Sequence, residues 1–529
     1  MAKDEYQELL ELRETVKHQK KTIDKLEYQV ENLTQAILHM KKKQFGSSSE
    51  KTPQSEGQIS IFNEAEMESN SKAPEPTVQN VSSYKRTPRQ PGVREEMIKD
   101  IPRETVECVL EGDNASCPEC GSTLDVIGKN VVRTEVEYIP ASLKVIEYVQ
   151  HVYKCTDCGK SDEKPDDVII KAPVPAPVMK RSLASPSSVA QVMYQKYMNG
   201  MPLYRQEHDW LQHGIALSRS TMANWVIRCT HDWLKPIYEL LKSELVKSEI
   251  INADETRIQC NREQGKKASS ESFMWLYRTG PYEEHPIVLF EYTRTRAGKH
   301  AKLFLEGFKG FLVSDAYAGY EKVEDVIRCL CWSHVRRYYI ESIPLDQGKE
   351  IPGSKGAEGR TYCNKLFKIE EEIKDLSPEE RLIQRQERSR KVLDAFWCWV
   401  EDISSKITTN QKLQEALTYS KNQRKYLENF MMDGRIPISN NFAENAIRPF
   451  AAHRRSWLFA DSPKGAESSA VAYSIVETAK ANNLNVFEYF VHIFKNLPNI
   501  DFNKNPEVLK KYLPWSEKLP ERCRMRNNR

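Results

Sequence analysis

Ser248-Glu-Ile-Ile-Asn-Ala-Asp-Glu-Thr-Arg257 decides how this chain folds. Ile250 and Ile251 run straight towards Asp254, the pattern of a short buried strand that ends in a carboxylate. Gly310-Phe-Leu-Val-Ser-Asp-Ala-Tyr317 repeats the pattern, with Phe311, Leu312 and Val313 leading into Asp315. A third acid, Glu444, lies in Ser439-Asn-Asn-Phe-Ala-Glu-Asn-Ala-Ile-Arg448, which reads as a helix start. Two carboxylates at strand ends and one on a helix can meet at a sheet edge. Hard oxygen ligands of this kind suit Mg²⁺ and the in-line chemistry of phosphoryl transfer.

Around these stretches the pattern is strand-rich. Residues 250–258, 272–277 and 286–293 read as three strands in meander, followed by a helix at 298–306. The Asp315 strand, a short helix at 318–323 and a fifth strand at 326–334 running into a helix complete a mixed α/β sheet. Residues 341–432 are mostly charged helix and read as an insertion. The Glu444 helix should be cut short or kinked at Pro449. An Ala-rich helix at 467–481, an amphipathic one at 486–496 and a loose basic tail around Arg522-Cys-Arg-Met-Arg526 follow.

Upstream, residues 188–197 read as a helix, Met201-Pro-Leu-Tyr-Arg-Gln-Glu207 opens a second, and Gly214 turns the chain towards Ser218. Ser218 is a natural N-cap, and Met222, Trp225, Val226 and Cys229 form an apolar face at helical spacing. This is a helix-turn-helix pattern in which Arg219, Ser220, Thr221 and Asn224 face outward, towards base edges or phosphates. A helical hairpin with no nucleic-acid role has the same pattern. Lys171-Ala-Pro-Val-Pro-Ala-Pro177 is a stiff connector.

Earlier still, Cys117-Pro-Glu-Cys120-Gly and Cys155-Thr-Asp-Cys158-Gly are two Cys-x-x-Cys knuckles. Together Cys117, Cys120, Cys155 and Cys158 complete a closed structural Cys₄ zinc site, with a hairpin in the 34 residues between them; a redox dithiol pair is the rival. Residues 46–93 are rich in Ser, Pro, Glu, Gln and Asn, a flexible linker. Residues 5–43 carry a heptad with a at Leu9, Val16, Ile23, Val30 and Ile37, and d at Leu12, Gln19, Leu26, Leu33 and Met40. β-Branched a residues with Leu at d favour a parallel two-stranded coiled coil, hence a homodimer; docking on the protein's own body is the alternative.

Length and composition bound the rest. A chain of 529 residues exceeds one core, so two to four domains are expected. With 39% hydrophobic and 29% charged residues, no apolar run long enough for a bilayer and no signal-like N-terminus, a cytoplasmic protein is expected. The net charge of +3 requires any nucleic-acid contact to come from local basic patches. Twelve cysteines in such a chain imply reduced thiols and a metal.

The chain resembles transposases of the insertion-sequence 66 family over nearly its whole length. The heptads running into Lys43-Gln-Phe-Gly-Ser-Ser-Ser-Glu-Lys51, the two knuckles and the 201–207 stretch carry the likeness. So do Asp254-Glu-Thr, Ser314-Asp-Ala-Tyr317, Cys331-Trp-Ser-His-Val-Arg336 and Asn440-Asn-Phe-Ala-Glu-Asn-Ala-Ile-Arg-Pro449, in that order. Trp457-Leu-Phe-Ala-Asp461 and Leu513-Pro-Trp515 also fit. The resemblance implies a bacterial protein with a ribonuclease-H-like catalytic domain. Its Asp-Asp-Glu triad would be Asp254, Asp315 and Glu444 on Mg²⁺ or Mn²⁺, with a helical insertion between the second Asp and the Glu. It also implies His334 near the scissile phosphate, DNA as partner, and small accessory proteins of the same element. Arg336, Arg448, Arg454 and Arg455 are candidate phosphate contacts, against ordinary surface solvation.

The expected organisation is a coiled coil at 1–45, a linker at 46–95, a zinc module at 96–170 and a helix-turn-helix region at 171–245. The catalytic domain follows at 246–480, with its insertion at about 341–432, and a C-terminal helical element and basic tail at 481–529. Bland readings stand beside the site. Glu444 is also the N3 residue of a capping box with Asn441 as N-cap, and Asp254 and Asp315 are also ordinary strand-end acids. Glu255 should point to the opposite face from Asp254. Cys329, Cys331 and His334 suggest a second zinc but lack a matching knuckle. The expected reaction is nicking of the element's ends and attack of the freed 3′-hydroxyl on target DNA. The rivals are a non-catalytic zinc-containing DNA-binding regulator and a structure-selective nuclease.

Overall fold

The computed structural model of the chain describes Gln19, residues 143–154 and residues 169–525, apart from 268, 347, 348 and 407. The predicted coiled coil (Gln19 excepted, which is helical and exposed), the linker and Cys117, Cys120, Cys155 and Cys158 lie outside the described residues. Val145–Met525 falls within one compact unit.

An antiparallel pair, β1 (Val152–Lys154) and β2 (Ile169–Lys171), precedes a helical array. In α1 (Pro186–Tyr197) Ser185 forms a capping box with Ser188. α2 (Leu203–Gln212) and α3 (Arg219–Cys229) follow, joined through Gly214, whose φ of +86° suits a residue without Cβ. Ser218 caps α3 by accepting from Thr221 N–H, as predicted, and Met222, Trp225, Val226 and Cys229 are its buried face. A π-helical turn at Thr230–Leu234 leads into α4 (Lys235–Leu245).

The sheet comprises β3 (Ile250–Cys260), β4 (Glu271–Thr279), β5 (Val288–Thr293), β6 (Phe311–Ser314) and β7 (Ile327–Leu330), in the order β5-β4-β3-β6-β7. β3, β4 and β5 are an antiparallel meander, whereas β6 and β7 run parallel to β3. Helix α5 (Lys299–Phe304) crosses from β5 to β6, and a 3₁₀ turn at Ala318–Lys322 connects β6 to β7. All five predicted strands and both connecting helices are present, displaced by a residue or two at their ends.

β7 leads into α6 (Trp332–Glu341), then a small hairpin of β8 (Leu345–Asp346) and β9 (Lys349–Glu350). Helices α7 (Lys355–Glu372), α8 (Pro378–Gln384), α9 (Arg390–Ser404) and α10 (Gln411–Leu427) come next. They form a second core, in which Trp332, Phe396, Trp397 and Phe430 pack with Val313 and Cys329 of the strands. Arg385, fully buried, holds the end of this excursion. It donates to Glu370 at 2.8 Å and to the carbonyls of Phe430 and Asp433 at 2.7 Å and Ile436 at 2.8 Å. Those carbonyls belong to the 3₁₀ turn at Asn429–Met432 and the irregular segment that leads from it into α11 (Asn441–Trp457).

Three expectations need correction here. α11 is not cut short at Pro449: it stays helical on both sides of the proline, with Ala443, Ala446, Ile447 and Phe450 buried along it. Asn441 is the first helical residue and not the cap; the cap position is Asn440, whose side chain makes no capping bond, so Glu444 is in no capping box. The tail is docked as far as Met525: Cys523 is fully buried and Met525 N–H donates to Asn483 at 2.8 Å.

Beyond α11, β10 (Phe459–Ala460) pairs parallel with the far end of β3. α12 (Pro463–Ala481) is buried nearly all round, and α13 (Val486–Asn496) packs on the helical array. α12 also covers the free edge of the sheet. Ser474 accepts the Phe290 N–H at 2.7 Å and Thr478 the Val288 N–H at 3.0 Å, so the outward amides of β5 are not left open.

Candidate active site

The site begins with strand register. In the parallel pairing of β3 with β6, Asn252 stands opposite Val313, so two residues further on Asp254 and Asp315 reach the same level. Each carboxylate is oriented by a nearby amide: Asp254 Oδ1 accepts from Glu255 N–H at 2.9 Å, Asp315 Oδ1 from Tyr317 N–H at 3.0 Å. Buried Arg328 steadies the second by donating to the Asp315 carbonyl at 3.0 Å.

Glu444 is brought in by the start of α11. Asn440, fully buried, donates its side-chain amide to the Ala253 carbonyl at 2.8 Å and accepts from the Asn252 amide at 3.1 Å. Its backbone N–H goes to Cys331 Sγ at 3.1 Å, and its carbonyl accepts from Glu444 N–H. Arg278 adds a second tie, donating to the Phe442 carbonyl at 3.0 Å with its guanidinium 3.3 Å from the Phe442 ring centre. One helical turn past Asn440, Glu444 lies near enough for its charge to act on Asp254.

The electrostatics register that convergence. Burial, then the charges of Glu255, Asp315 and Glu444, push the Asp254 carboxyl up to about 8. Glu444 Oε1 is buried without a hydrogen-bond partner. Three carboxylates, one of them resisting ionisation and another carrying an orphaned oxygen, fit a hard divalent cation whose charge would hold them deprotonated.

Glu255, expected on the face opposite Asp254, is close enough to Asp315 for their charges to act on each other. Its side chain is 2% exposed and is taken up by Arg296, with Nε at 2.8 Å, and by the Tyr320 hydroxyl at 2.6 Å. Arg296 was not among the residues singled out above. Its guanidinium also lies 3.8 Å from Asp315 and over the Tyr317 ring at 4.0 Å, which makes it the cation nearest the acids that the structure records. A basic residue just past a strand, within Thr293-Arg-Thr-Arg296, was the available signal. Asn252, Arg278 and Arg328 gave none, since a polar residue inside a strand pattern reads as outward-facing.

His334 lies in the first turn of α6, and its ligand atom, Cys331 Sγ and a Glu444 oxygen all lie within 4.8 Å of one another. Burial and Arg337 lower the His334 pKa, against the opposing pull of Glu444 and Asp315. Cys329, weighed above with Cys331 and His334, is buried in the second core and lies outside that group. Arg448 is exposed one turn beyond Glu444, and Arg455 is exposed near the helix end. Arg454 lines a shallow depression with Arg257, Arg296 and Glu255. Arg336 is engaged with Asn364 at 2.7 Å. On α3, Arg219, Ser220, Thr221 and Asn224 are all exposed, and Glu207 of α2 accepts the Arg219 backbone N–H at 2.9 Å.

Comparison with known proteins bears on these features. Residues 181–468 match the family described as Transposase IS66 family. Residues 114–159 match the zinc-finger binding domain of transposase IS66, and residues 32–106 match Transposase C of IS166 homeodomain. The Sinorhizobium fredii protein y4hP is 28% identical over 83% of this chain and 79% of its own length. Protein y4jD of the same organism is 25% identical over 80% of this chain and 82% of its own. No solved structure matches. Among the described residues, no helix is long and apolar enough to cross a membrane.

Proposed function

This chain belongs to the IS66 transposase family, and from that premise we propose that it cuts and joins DNA at an Asp-Asp-Glu site made of Asp254, Asp315 and Glu444. Family membership implies DNA binding, and the zinc-finger match supports structural zinc. The single observation that carries the finer reading is the convergence of three acids drawn from β3, the end of β6 and the first turn of α11. The strand order, a three-stranded antiparallel meander extended by two parallel strands, supports a ribonuclease-H-like domain.

In this reading the three carboxylates hold Mg²⁺ or Mn²⁺, which when bound supplies charge stabilisation to the attacking and leaving oxygens of an in-line displacement. Asp254, Asp315 and Glu444 would hold that ion where water attacks the scissile phosphate and expels the 3′-oxygen, and where the freed 3′-hydroxyl then attacks a phosphate of the target DNA and expels the target's own 3′-oxygen. Arg296 neutralises Glu255 and part of Asp315, so the acids can stand close without expelling one another. Arg448, Arg454 and Arg455 line the approach of the DNA backbone, with Arg336 further out on α6. Arg219, Ser220, Thr221 and Asn224 of α3 contact the element ends, giving salt-dependent affinity. The Cys117, Cys120, Cys155 and Cys158 zinc module assists end recognition. The N-terminal heptads pair two protomers so that both ends are held, with small accessory proteins of the element as further partners.

The test is Asp254→Asn in the full chain with DNA bearing the element's ends and Mg²⁺. Retained DNA binding with loss of 3′-end nicking supports the proposal; nicking unchanged by the substitution would put the chemistry elsewhere, and DNA binding without nicking by wild type would favour a non-catalytic regulator. Supplying a pre-nicked end to the wild-type chain separates a transposase, which forms joined product, from a nuclease, which does not.

A further inference from the structure

Cys331, His334 and Glu444 present one ligand atom each, all within 4.8 Å of one another. The grouping is built by two elements. Cys331 occupies the N-cap position of α6 and His334 its first turn, so a Cys-x-x-His spacing points both the same way, while Glu444 arrives from the first turn of α11. Two of these residues carry an unsatisfied atom: His334 Nδ1 and Glu444 Oε1 are buried without any hydrogen-bond partner. These two unpaired atoms belong to residues of one cluster of metal-ligating side chains, where a bound ion would give each a partner. Cys331 Sγ already accepts the Asn440 N–H at 3.1 Å, a bond that strengthens for a thiolate.

We propose that Cys331, His334 and Glu444 form a second metal site, for a thiophilic divalent ion of the Zn²⁺ class, separate from the cysteine knuckles. Thiolate, imidazole and carboxylate ligate Zn²⁺ at about 2.0–2.3 Å, which sets ligand atoms about 3–4 Å apart, within small rotations of the spread seen here. Mg²⁺ does not favour sulfur, so the donor set selects a different ion from the one suited to Asp254 and Asp315. Three protein ligands leave one position open to water. Binding exchanges the Cys331 thiol proton for the metal and releases that proton to solvent, so occupancy rises with pH. Glu444 is common to both clusters, and a filled Cys331–His334–Glu444 site ties its carboxylate to α6.

The experiment counts zinc and does not use catalysis. Full-length protein is equilibrated with ZnCl₂, desalted, and analysed for zinc per chain by mass spectrometry, beside Cys331→Ser, His334→Gln and Asp254→Asn. Wild type and Asp254→Asn should carry one zinc more than Cys331→Ser or His334→Gln. Circular dichroism melting checks that the variants fold; should buried Cys331→Ser not fold, half-buried His334→Gln carries the comparison. Equal zinc in wild type and folded His334→Gln would overturn the proposal. So would loss of that extra zinc in folded Asp254→Asn, since the ion would then belong to the acidic cluster. Failure of the transposase reading appears elsewhere, as unchanged DNA nicking by Asp254→Asn.

Discussion

Asn252 and Asn440, 188 residues apart in sequence, meet in the core through an amide-to-amide hydrogen bond of 3.1 Å, and Asn440 passes the tie on to the Ala253 carbonyl at 2.8 Å. This pair fixes the start of α11 against β3 immediately beside Asp254. Asn440→Ala removes a donor and an acceptor from a buried site and leaves the Ala253 carbonyl and the Asn252 amide unpaired. A loss of about 1–3 kcal/mol in denaturant unfolding is expected. Nicking should fall further than stability alone explains, because Glu444 loses its anchor.

The raised Asp254 pKa makes a prediction about pH. An Asp whose folded-state pKa lies near 8, against an ordinary 3.8, binds a proton more tightly when folded. Its contribution to stability is therefore complete below about pH 4 and is lost as pH rises through about 8. In chelator, the melting temperature of wild type should decline across that window more than that of Asp254→Asn. Added Mg²⁺ should raise the wild-type melting temperature most at the alkaline end, and barely affect the variant. Parallel pH curves for the two proteins would show that Asp254 does not titrate in this range.

Arg296→Ala leaves the nearly inaccessible Glu255 carboxylate with Tyr320 as its remaining partner. Because the guanidinium is itself 41% exposed, the cost should be modest, about 1–3 kcal/mol in denaturant unfolding. Glu255→Gln in the Arg296→Ala background should recover part of the stability, since the unpaired charge is gone. The same double variant should not recover nicking if Arg296 also screens Asp315.

Arg385 offers a stability test far from the acids. Arg385→Met keeps the volume but strips Glu370 of its closer partner, leaving Arg381 at 3.2 Å, and frees three carbonyls, the Phe430 and Ile436 bonds buried and the Asp433 bond partly so. A loss of about 3–5 kcal/mol is expected in denaturant unfolding. Amide exchange should accelerate at 430–440, the return into α11, before it does in β3 and β4.

Much of this architecture was legible in local pattern. The apolar run-ins at Ile250–Ile251 and Phe311–Val313, the meander and the helices on either side of the sheet follow from hydrophobic periodicity, which acts over a few residues and is written in the chain. Ser218 and the buried stripe of α3 were readable for the same reason, as were Asp254, Asp315 and Glu444 as candidates. Tertiary structure decided what each one faces. Asn441 looked like a helix cap, yet the cap position falls to Asn440, whose side chain is claimed by β3; Pro449 looked like a breaker, yet α11 runs on past it. Cys523 in a basic tail is buried because a partner surface exists only after folding. The company of Arg296 with Glu255, of Asn252 with Asn440 and of Cys331 with Glu444 joins residues tens to hundreds apart. Such pairings depend on strand register and helix placement, which are set cooperatively by the whole core and by no single stretch of it.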